Sequence, residues 1–293
     1  MSYKIESLKE NIKIHLIQTS KFKTNLIATF LSLPLEKESV TKNALIPAVL
    51  KRGTKNLKTQ EEISIELENM YGADIDAGID KIGDNQIIKF YLETLNDNFL
   101  PQQENLLEKS INLLLDIILN PLVEKDKFKE EYVETEKQTV KRLIDGKIDN
   151  KDRYAFNRCI EEMYKDEPFG IYKYGYIEDL EKITSEELYM HYKELIENCK
   201  IDIFVSGDFD SNKILEIFRK NENLQKLEGR KDPHIINNEE TEKKTKKEET
   251  ILSESMDIKQ GKLVMGLDIN YNKPDSKYAM CLYNVILRRK CNI

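Results

Sequence analysis

The chain has 293 residues, with 46 Lys and Arg against 53 Asp and Glu, which gives a formal net charge of −7. Its hydrophobic content of 40% excludes a fully disordered protein, and the acidic balance argues against general nucleic-acid binding. The length predicts one large domain or two of ordinary size. The four cysteines are far apart and form no C-x-x-C pair, so we expect buried free thiols and a cytoplasmic location.

No segment has the pattern of an export signal or a membrane span. The first ten residues lack the basic region and apolar core of a secretory signal. The longest near-apolar stretches, 26–33 and 111–122, are shorter than the ~18 residues that a spanning helix needs. We therefore expect no membrane partner and no nucleic-acid partner.

Hydrophobic periodicity predicts strands first and then alternating groups of helices and strands. The predicted strands are 11–19, 24–33, 73–82, 86–95 and 201–208, and the predicted helices are 43–51, 59–71, 103–119, 125–144, 152–164, 184–198 and 212–220. The first two strands are predicted to pair with each other. This order indicates an α+β fold in which an antiparallel β-sheet has α-helices packed on one face.

The composition changes after residue 220. Between 239 and 249 nine of eleven residues are charged, so this stretch lacks the apolar surface needed to order it. A strand over 262–269 and a helix over 275–287 follow. We predict a complete domain over 1–222, a charged linker over 223–250 and the incomplete start of a second domain over 251–293.

A proline interrupts the first predicted helix. An interior proline costs a helix about 3 kcal/mol, because the residue donates no backbone hydrogen bond and its ring clashes with the preceding turn. We therefore predict that this helix begins late, near Ile46, or bends at Pro47.

Several strings occur in an order and spacing that resemble one enzyme family. They are NALIPAVLKRGTKN at 43–56, MYGADIDA at 70–77, IILNP at 117–121, EKQTV at 136–140, PFG at 168–170 and VSGDFD at 205–210. Together they resemble the pitrilysin/insulinase family of zinc metallopeptidases, whose motif is H-x-x-E-H. The resemblance covers essentially the whole chain. It implies a metallopeptidase-like α+β domain followed by the start of a second, homologous domain.

The zinc site implied by this resemblance falls on residues that cannot bind zinc. The first His of the motif falls on Ala44, the catalytic Glu on Pro47 and the second His on Ala48. The later zinc-binding Glu falls on Leu143, seven positions after Glu136, which matches the family's supporting Glu. None of the four substituted side chains has a donor atom. We therefore predict that the chain is not an enzyme and has no catalytic, cofactor-binding or metal-binding residue.

Other polar residues do not form a substitute site in the sequence. No His-x3-His pair exists, and the three histidines are scattered over a predicted strand, a helix and the linker. His15 is interpreted as a sheet-surface residue and His191 as a packing residue, while a run of glutamates on one helix is interpreted as a solvated face. The tyrosines are interpreted as core and rim aromatics. The third histidine is His234, the glutamate run is Glu130, Glu131, Glu134 and Glu136, and the tyrosines are Tyr71, Tyr91, Tyr154, Tyr172, Tyr174 and Tyr176.

The resemblance also implies a partner. Members of the family pair two homologous halves or subunits around a chamber, and often only one of them carries zinc. This chain resembles the zinc-free kind, a non-catalytic subunit of a heterodimer with an active H-x-x-E-H peptidase in peptide processing. A peptide strand would add to the sheet edge at 73–79. Two alternatives stay open: a stand-alone zinc metalloendopeptidase with ligands in another register, and a purely structural scaffold subunit.

The last residues depart from the family pattern. After the helix that ends near Leu287 the family continues with Gly-Gly and a long remainder, whereas this sequence has Arg288 and Arg289. Glycine codons GGA-GGA, when they are shifted by one base, give AGG-AGG, which encodes Arg-Arg. We therefore expect a frameshift or a premature gene end, and the DNA beyond codon 287 tests it.

Overall fold

A computed structural model describes residues 1–227, 249–256, 259–267 and 274–290, with side chains in the last stretch described only for 278–286. The chain divides into two units, residues 1–238 and 239–293. His234, Cys291 and most of the predicted linker lie outside the described residues.

The first unit is built on a six-stranded sheet. The strands are β1 (Ser2–Lys9), β2 (Ile12–Gln18), β3 (Thr24–Pro34), β4 (Asp74–Ile82) and β5 (Asn85–Leu95), then the short pair β6 (Val123–Glu124) and β7 (Lys127–Phe128), and finally β8 (Lys200–Gly207). The order across the large sheet is β1-β2-β8-β3-β5-β4. All neighbours in it are antiparallel except β2 and β8, which are parallel.

The predicted α+β class is confirmed, with corrections to the sheet. The sheet is mixed rather than wholly antiparallel, and β2 and β3 do not pair, because β8 lies between them. Local alternation identifies a strand but carries no information about a neighbour that comes much later in the chain. Strand β1 was not predicted. It is largely exposed, so its sequence carries only a weak hydrophobic pattern.

Ten helices are described. They are α1 (Val40–Leu50), α2 (Gln60–Asn69), α3 (Leu106–Leu119), α4 (Glu130–Asp145), α5 (Lys151–Met163), α6 (Ile177–Leu180), α7 (Ser185–Asn198), α8 (Ser211–Lys220), α9 (Glu222–Gln225) and, in the second unit, α10 (Pro274–Lys290). The predicted cap of α7 is present, since the Thr184 hydroxyl accepts the Glu187 backbone N–H at 3.1 Å. No described helix is long and apolar enough to cross a membrane.

The core lies between one face of the sheet and the helices. Alternate residues of β2, including Ile12 and Ile14, are fully buried and belong to one cluster with residues of α1, α3, α7 and α8. Lys13, which points to the other face, is exposed. Because strand side chains alternate, the helices cover the face that carries the isoleucines.

The predicted late start of the first helix is wrong. Helix α1 begins at Val40, seven residues before Pro47, and nine of its eleven residues are buried. Packing of both turns before the proline offsets the missing hydrogen bond to the Asn43 carbonyl. A bend at Pro47 stays a prediction.

The predicted linker begins within packed structure. Helix α9 occupies residues 222–225, and Leu224 in it is 1% exposed. The predicted domain boundary at residue 222 therefore falls on the first residue of this helix, and it stays a prediction.

In the second unit the described residues expose apolar side chains. Leu263 is 88% exposed and Leu282, in α10, is 66% exposed. The predicted strand over 262–269 is absent from its described part, 262–267, whereas the predicted helix over 275–287 is present as α10. The expectation of buried thiols holds for Cys199 but is wrong for Cys281, which lies exposed on α10.

Candidate functional site

The four positions that match the family's zinc motif lie on two helices. Helix α1 places Ala44 and Ala48 one turn apart, with Pro47 between them, and α4 carries Leu143. Ala44 is 3% exposed and Pro47 is buried, whereas Leu143 is 46% exposed. Zinc requires nitrogen, sulfur or oxygen ligands, and these side chains supply none. The residues present therefore do not fit a zinc ion, and no group of three His, Cys, Asp or Glu elsewhere in the described residues is placed to hold a metal.

The position of the supporting glutamate carries a structural ion pair. Glu136 on α4 is 5% exposed, and its carboxylate accepts the Arg52 Nε–H at 2.5 Å. Arg52 comes just after α1, so the pair joins the end of α1 to the middle of α4. A charged hydrogen bond with one buried partner holds the two helices in a fixed register.

A chain of buried polar groups surrounds the start of α1. The Asn43 amide donates from Nδ2 to Gln86 Oε1 at 2.8 Å, and Asn43 Oδ1 lies 2.6 Å from His191 Nε2. Because Oδ1 can only accept, the Nε2–H of a neutral His191 donates to it. Gln86 in turn donates to the backbone carbonyls of Val40 and Lys173. This network ties α1 to β5 and α7.

Burial lowers the pKa of His191 to about 4, and the nearby positive charge of Lys42 adds to the effect while Glu187 opposes it. Lys42 and Glu187 form an ion pair at 2.9 Å between α1 and α7. That pair also lowers the pKa of Glu187, chiefly through the hydrogen bond from Lys42. His191 is therefore a neutral, hydrogen-bonded side chain at pH 7.

His15 has partners that the sequence did not indicate. Its Nε2 lies 2.9 Å from Asp202 Oδ1 on β8, its Nδ1 lies 2.8 Å from the Tyr3 hydroxyl, and its ring stacks on Phe204 with centroids 4.1 Å apart. Lys200 also pairs with Asp202, at 2.7 Å. These groups lie on the helix-free face of the sheet. The parallel β2–β8 pairing brings these groups together although they are far apart in sequence. No local sequence motif indicates this pairing.

The tyrosines have different surroundings in the structure. Tyr71 donates to Glu104 at 2.7 Å, and Tyr91 on β5 packs edge-to-face on Phe30. Tyr154 and Tyr172 both flank the Lys147 ammonium, at 5.9 and 4.6 Å from the ring centroids. A cleft of about 420 Å³ lies beside α1 and is lined by polar residues that include Lys42 and Glu187, but none of the four zinc-motif positions lines it.

The edge of the sheet near α1 is strand β4, which pairs only with β5 among the described strands. The Ala77 N–H is bonded to the Asp76 carboxylate at 2.8 Å, so it points away from β5. By alternation, the N–H groups of residues 75, 77, 79 and 81 face the outer edge, where the Ile79 carbonyl accepts a hydrogen bond from the Lys173 ammonium at 2.7 Å. The side chains of Asp74, Asp76 and Asp80 lie on one face of this strand, and the side chain of Ala77 lies on the opposite face.

No protein-family model matches the sequence. Among curated proteins, the chain is 37% identical over 287 residues to a probable inactive metalloprotease, YmfF, of Bacillus subtilis. That alignment covers 97% of this chain and 66% of the relative. The chain is also 28% identical over 152 residues to an uncharacterized zinc protease, YmfH, of the same organism, with 52% of this chain and 33% of that protein covered. It thus spans less than two thirds of the length of these relatives.

Solved structures show the same fold. A conserved protein from Enterococcus faecalis superposes with a TM-score of 0.71 at 24% identity, covering 75% of this chain and 52% of that chain. A peptidase M16 inactive domain from Pseudomonas fluorescens gives a TM-score of 0.60 at 14% identity and covers 81% and 53%. Pitrilysin itself gives 0.59 at 17% identity and covers 80% and 24%.

Proposed function

The chain belongs to the pitrilysin/insulinase family of metallopeptidases as a non-catalytic member without the zinc motif, and from this premise we propose that it is the inactive subunit of a heterodimeric peptide-processing enzyme. The observation that carries the proposal is the replacement of all four zinc-motif positions by Ala44, Pro47, Ala48 and Leu143 on an otherwise intact scaffold. The active subunit would be a separate homologue with H-x-x-E-H. A cytoplasmic location is part of the proposal.

The preserved scaffold supports a subunit role. The Arg52–Glu136 pair and the Asn43 network keep α1 positioned against the sheet although this helix no longer carries metal ligands. The two Bacillus subtilis relatives support pairing, since one is a probable inactive metalloprotease and the other a zinc protease.

The outer edge of β4 is the proposed peptide contact. Outward N–H groups at the edge can bond the backbone of an extended peptide, which would displace the Asp76 carboxylate from the Ala77 N–H and the Lys173 ammonium from the Ile79 carbonyl. A peptide bound there would lie beside α1, in the shared chamber of the proposed heterodimer.

Co-purification tests the heterodimer. The tagged full chain, isolated from its own cells, is expected to bring down a homologue with an intact H-x-x-E-H motif at a 1:1 ratio, identified by mass spectrometry. Zinc in the purified complex should equal one ion per heterodimer and should disappear when the two His of the homologue are changed to Ala. Recovery of this chain alone, or of zinc bound to this chain alone, would contradict the proposal.

A proline on β4 tests the peptide contact. Ala77→Pro removes one outward N–H without breaking a bond to β5, so we expect the KM of the complex for a quenched peptide to rise about tenfold with little change in kcat. Lys13→Pro would not serve as a control, because β2 is an inner strand and a proline there would remove a backbone hydrogen bond between neighbouring strands. The matched control is Asp76→Asn, which keeps every backbone donor, and it should leave KM within about threefold.

A further inference from the structure

Among the described residues the sheet ends in two strands, β1 and β4, that no further strand covers, and these edges differ in their charge pattern. Strand β1 forms the edge opposite β4 and pairs only with β2 among the described strands. Its residues are mostly exposed, including Tyr3 at 58% and Ile5 at 51%. An uncovered edge strand with exposed apolar side chains is a template for pairing with another strand.

The sequence of β1 is complementary to itself. When two copies are placed antiparallel about a two-fold axis at Ile5, Lys4 of each copy lies opposite Glu6 of the other, and Tyr3 lies opposite Ser7. The two Ile5 side chains meet on the axis. Lys4 and Glu6 lie on the same face of the strand, where their charged atoms are 3.9 Å apart within one chain. The β1–β2 register is regular from Ser2 to Ser7, so these pairs fall on undistorted backbone.

Other registers of the same pairing are worse. Centring the axis on Lys4 or on Glu6 places like charges directly opposite, which destabilises a strand pair. A shift by one residue in either direction would set Glu6 against Tyr3 or Ile5, because it changes the face to which each side chain points. Of these registers, only the one centred on Ile5 places Lys4 and Glu6 of each copy opposite residues of opposite charge.

The other edge of the sheet lacks this charge complementarity. On one face of β4 the residues are Asp74, Asp76, Gly78, Asp80 and Ile82, with no basic side chain of the strand among them, and the ion pairs of Asp80 are with Lys89 and Lys173 of the same chain. An antiparallel β4–β4 pair centred on Gly78 sets Asp76 against Asp80, and one centred on Ala77 sets Asp74 against Asp80. A second copy is therefore matched to β1 and not to β4.

We infer that two copies of this chain associate through their β1 strands, as an antiparallel pair centred on Ile5 that joins the two sheets into one. The contact is isologous, so it closes after two copies and builds a dimer rather than a filament. It uses the edge opposite the proposed peptide contact. A test that contradicts the dimer would therefore not contradict the proposed zinc-bearing partner, and the reverse is also true.

Charge exchange on the full-length chain tests the dimer by sedimentation equilibrium. Lys4→Glu alone and Glu6→Lys alone each place four like charges around the axis, so each should raise the dimer Kd about tenfold or more. The double variant Lys4→Glu/Glu6→Lys restores opposite charges and should return the Kd to within about threefold of the original. A mixture of the two single variants should form the mixed dimer in preference to either homodimer.

The controls separate this contact from other causes. Lys13→Glu makes the same charge change on the neighbouring strand and should leave the Kd unchanged, while circular dichroism verifies that each variant is folded. The Glu6 substitution also removes the 2.8 Å ion pair with Arg219, but that loss cannot explain recovery in the double variant. A monomeric full chain, or a dimer whose Kd in both single variants equals that of the original chain, would overturn the inference.

Discussion

At the scale of single residues, two of the four positions that match the zinc motif belong to the packed core. Ala44 and Pro47 are buried in the helix that should carry the ligands, and the two groups that still make strong polar contacts, Asn43 and Arg52, flank those positions. Restoring two imidazoles at positions 44 and 48 would still leave Leu143 where the third ligand belongs. The missing zinc ligands are therefore spread over several residues, and no single substitution would complete the site.

His191 should make the stability of the first unit depend on pH. Its folded-state pKa of about 4 lies below the ordinary 6.5, so the unfolded chain binds the proton first as pH falls. The stabilisation is complete above pH 6.5 and is lost toward pH 4, by up to about 1.4 kcal/mol per pH unit. Urea unfolding at pH 7 and pH 5 should show a smaller loss for His191→Gln than for the original chain. Equal losses in both proteins would contradict this assignment.

The Arg52–Glu136 pair should be worth more than a surface ion pair. Arg52→Met leaves the Glu136 carboxylate buried without its partner, so we expect the free energy of unfolding to fall by about 2–3 kcal/mol. Replacing both residues by Met removes the stranded charge and should recover at least half of that loss. Urea denaturation of the three proteins measures both effects, and a double variant less stable than Arg52→Met would refute the explanation.

At the scale of elements, burial decided where the first helix begins. The proline penalty favours a start near Ile46, but Val40, Thr41 and Asn43 are buried and extend α1 by two turns. Strand β1 shows the opposite case. Few of its side chains are buried, and it forms a strand because its backbone pairs with β2. Elements with capping residues, such as α7 with Thr184, begin where their sequences indicate.

Replacing the interior proline should stabilise α1. Pro47→Ala restores a backbone donor to the Asn43 carbonyl, while the smaller side chain loses some packing, so we expect a net gain of about 1 kcal/mol in the free energy of unfolding. Chemical denaturation measures this gain. Pro34→Ala, at the end of β3, is the matched control and should change stability by less than about 0.5 kcal/mol. A destabilised Pro47→Ala protein would show that ring packing outweighs the hydrogen bond.

At the scale of the whole molecule, the two sheet edges have different roles in our account. We propose β4, whose exposed face carries three aspartates, as the peptide contact, and β1, whose charges match a second copy, as the dimer contact. Both edges belong to the first unit, whose core is continuous from β2 to α9. The second unit exposes Leu263 and Leu282 in its described residues.

The extent of the first unit is open to a direct test. Leu224 lies in the stretch predicted as linker, yet it is 1% exposed and belongs to the main core. Leu224→Ala in the full chain should lower the free energy of unfolding by about 2–4 kcal/mol. Leu263→Ala, at a side chain 88% exposed, should have almost no effect. If both variants unfold like the original protein, α9 does not contribute to the core and the first unit ends before it.

The sequence by itself determined the family, the α+β class, most element positions and the loss of zinc ligands, because motifs and periodicity are local properties of the chain. Tertiary structure decided the parallel β2–β8 pair, the partners of His15 on β8, the early start of α1 and the burial of Leu224. Each of these depends on contacts between residues far apart in sequence. Such contacts arise from burial and strand pairing in three dimensions, for which a local pattern carries no signal.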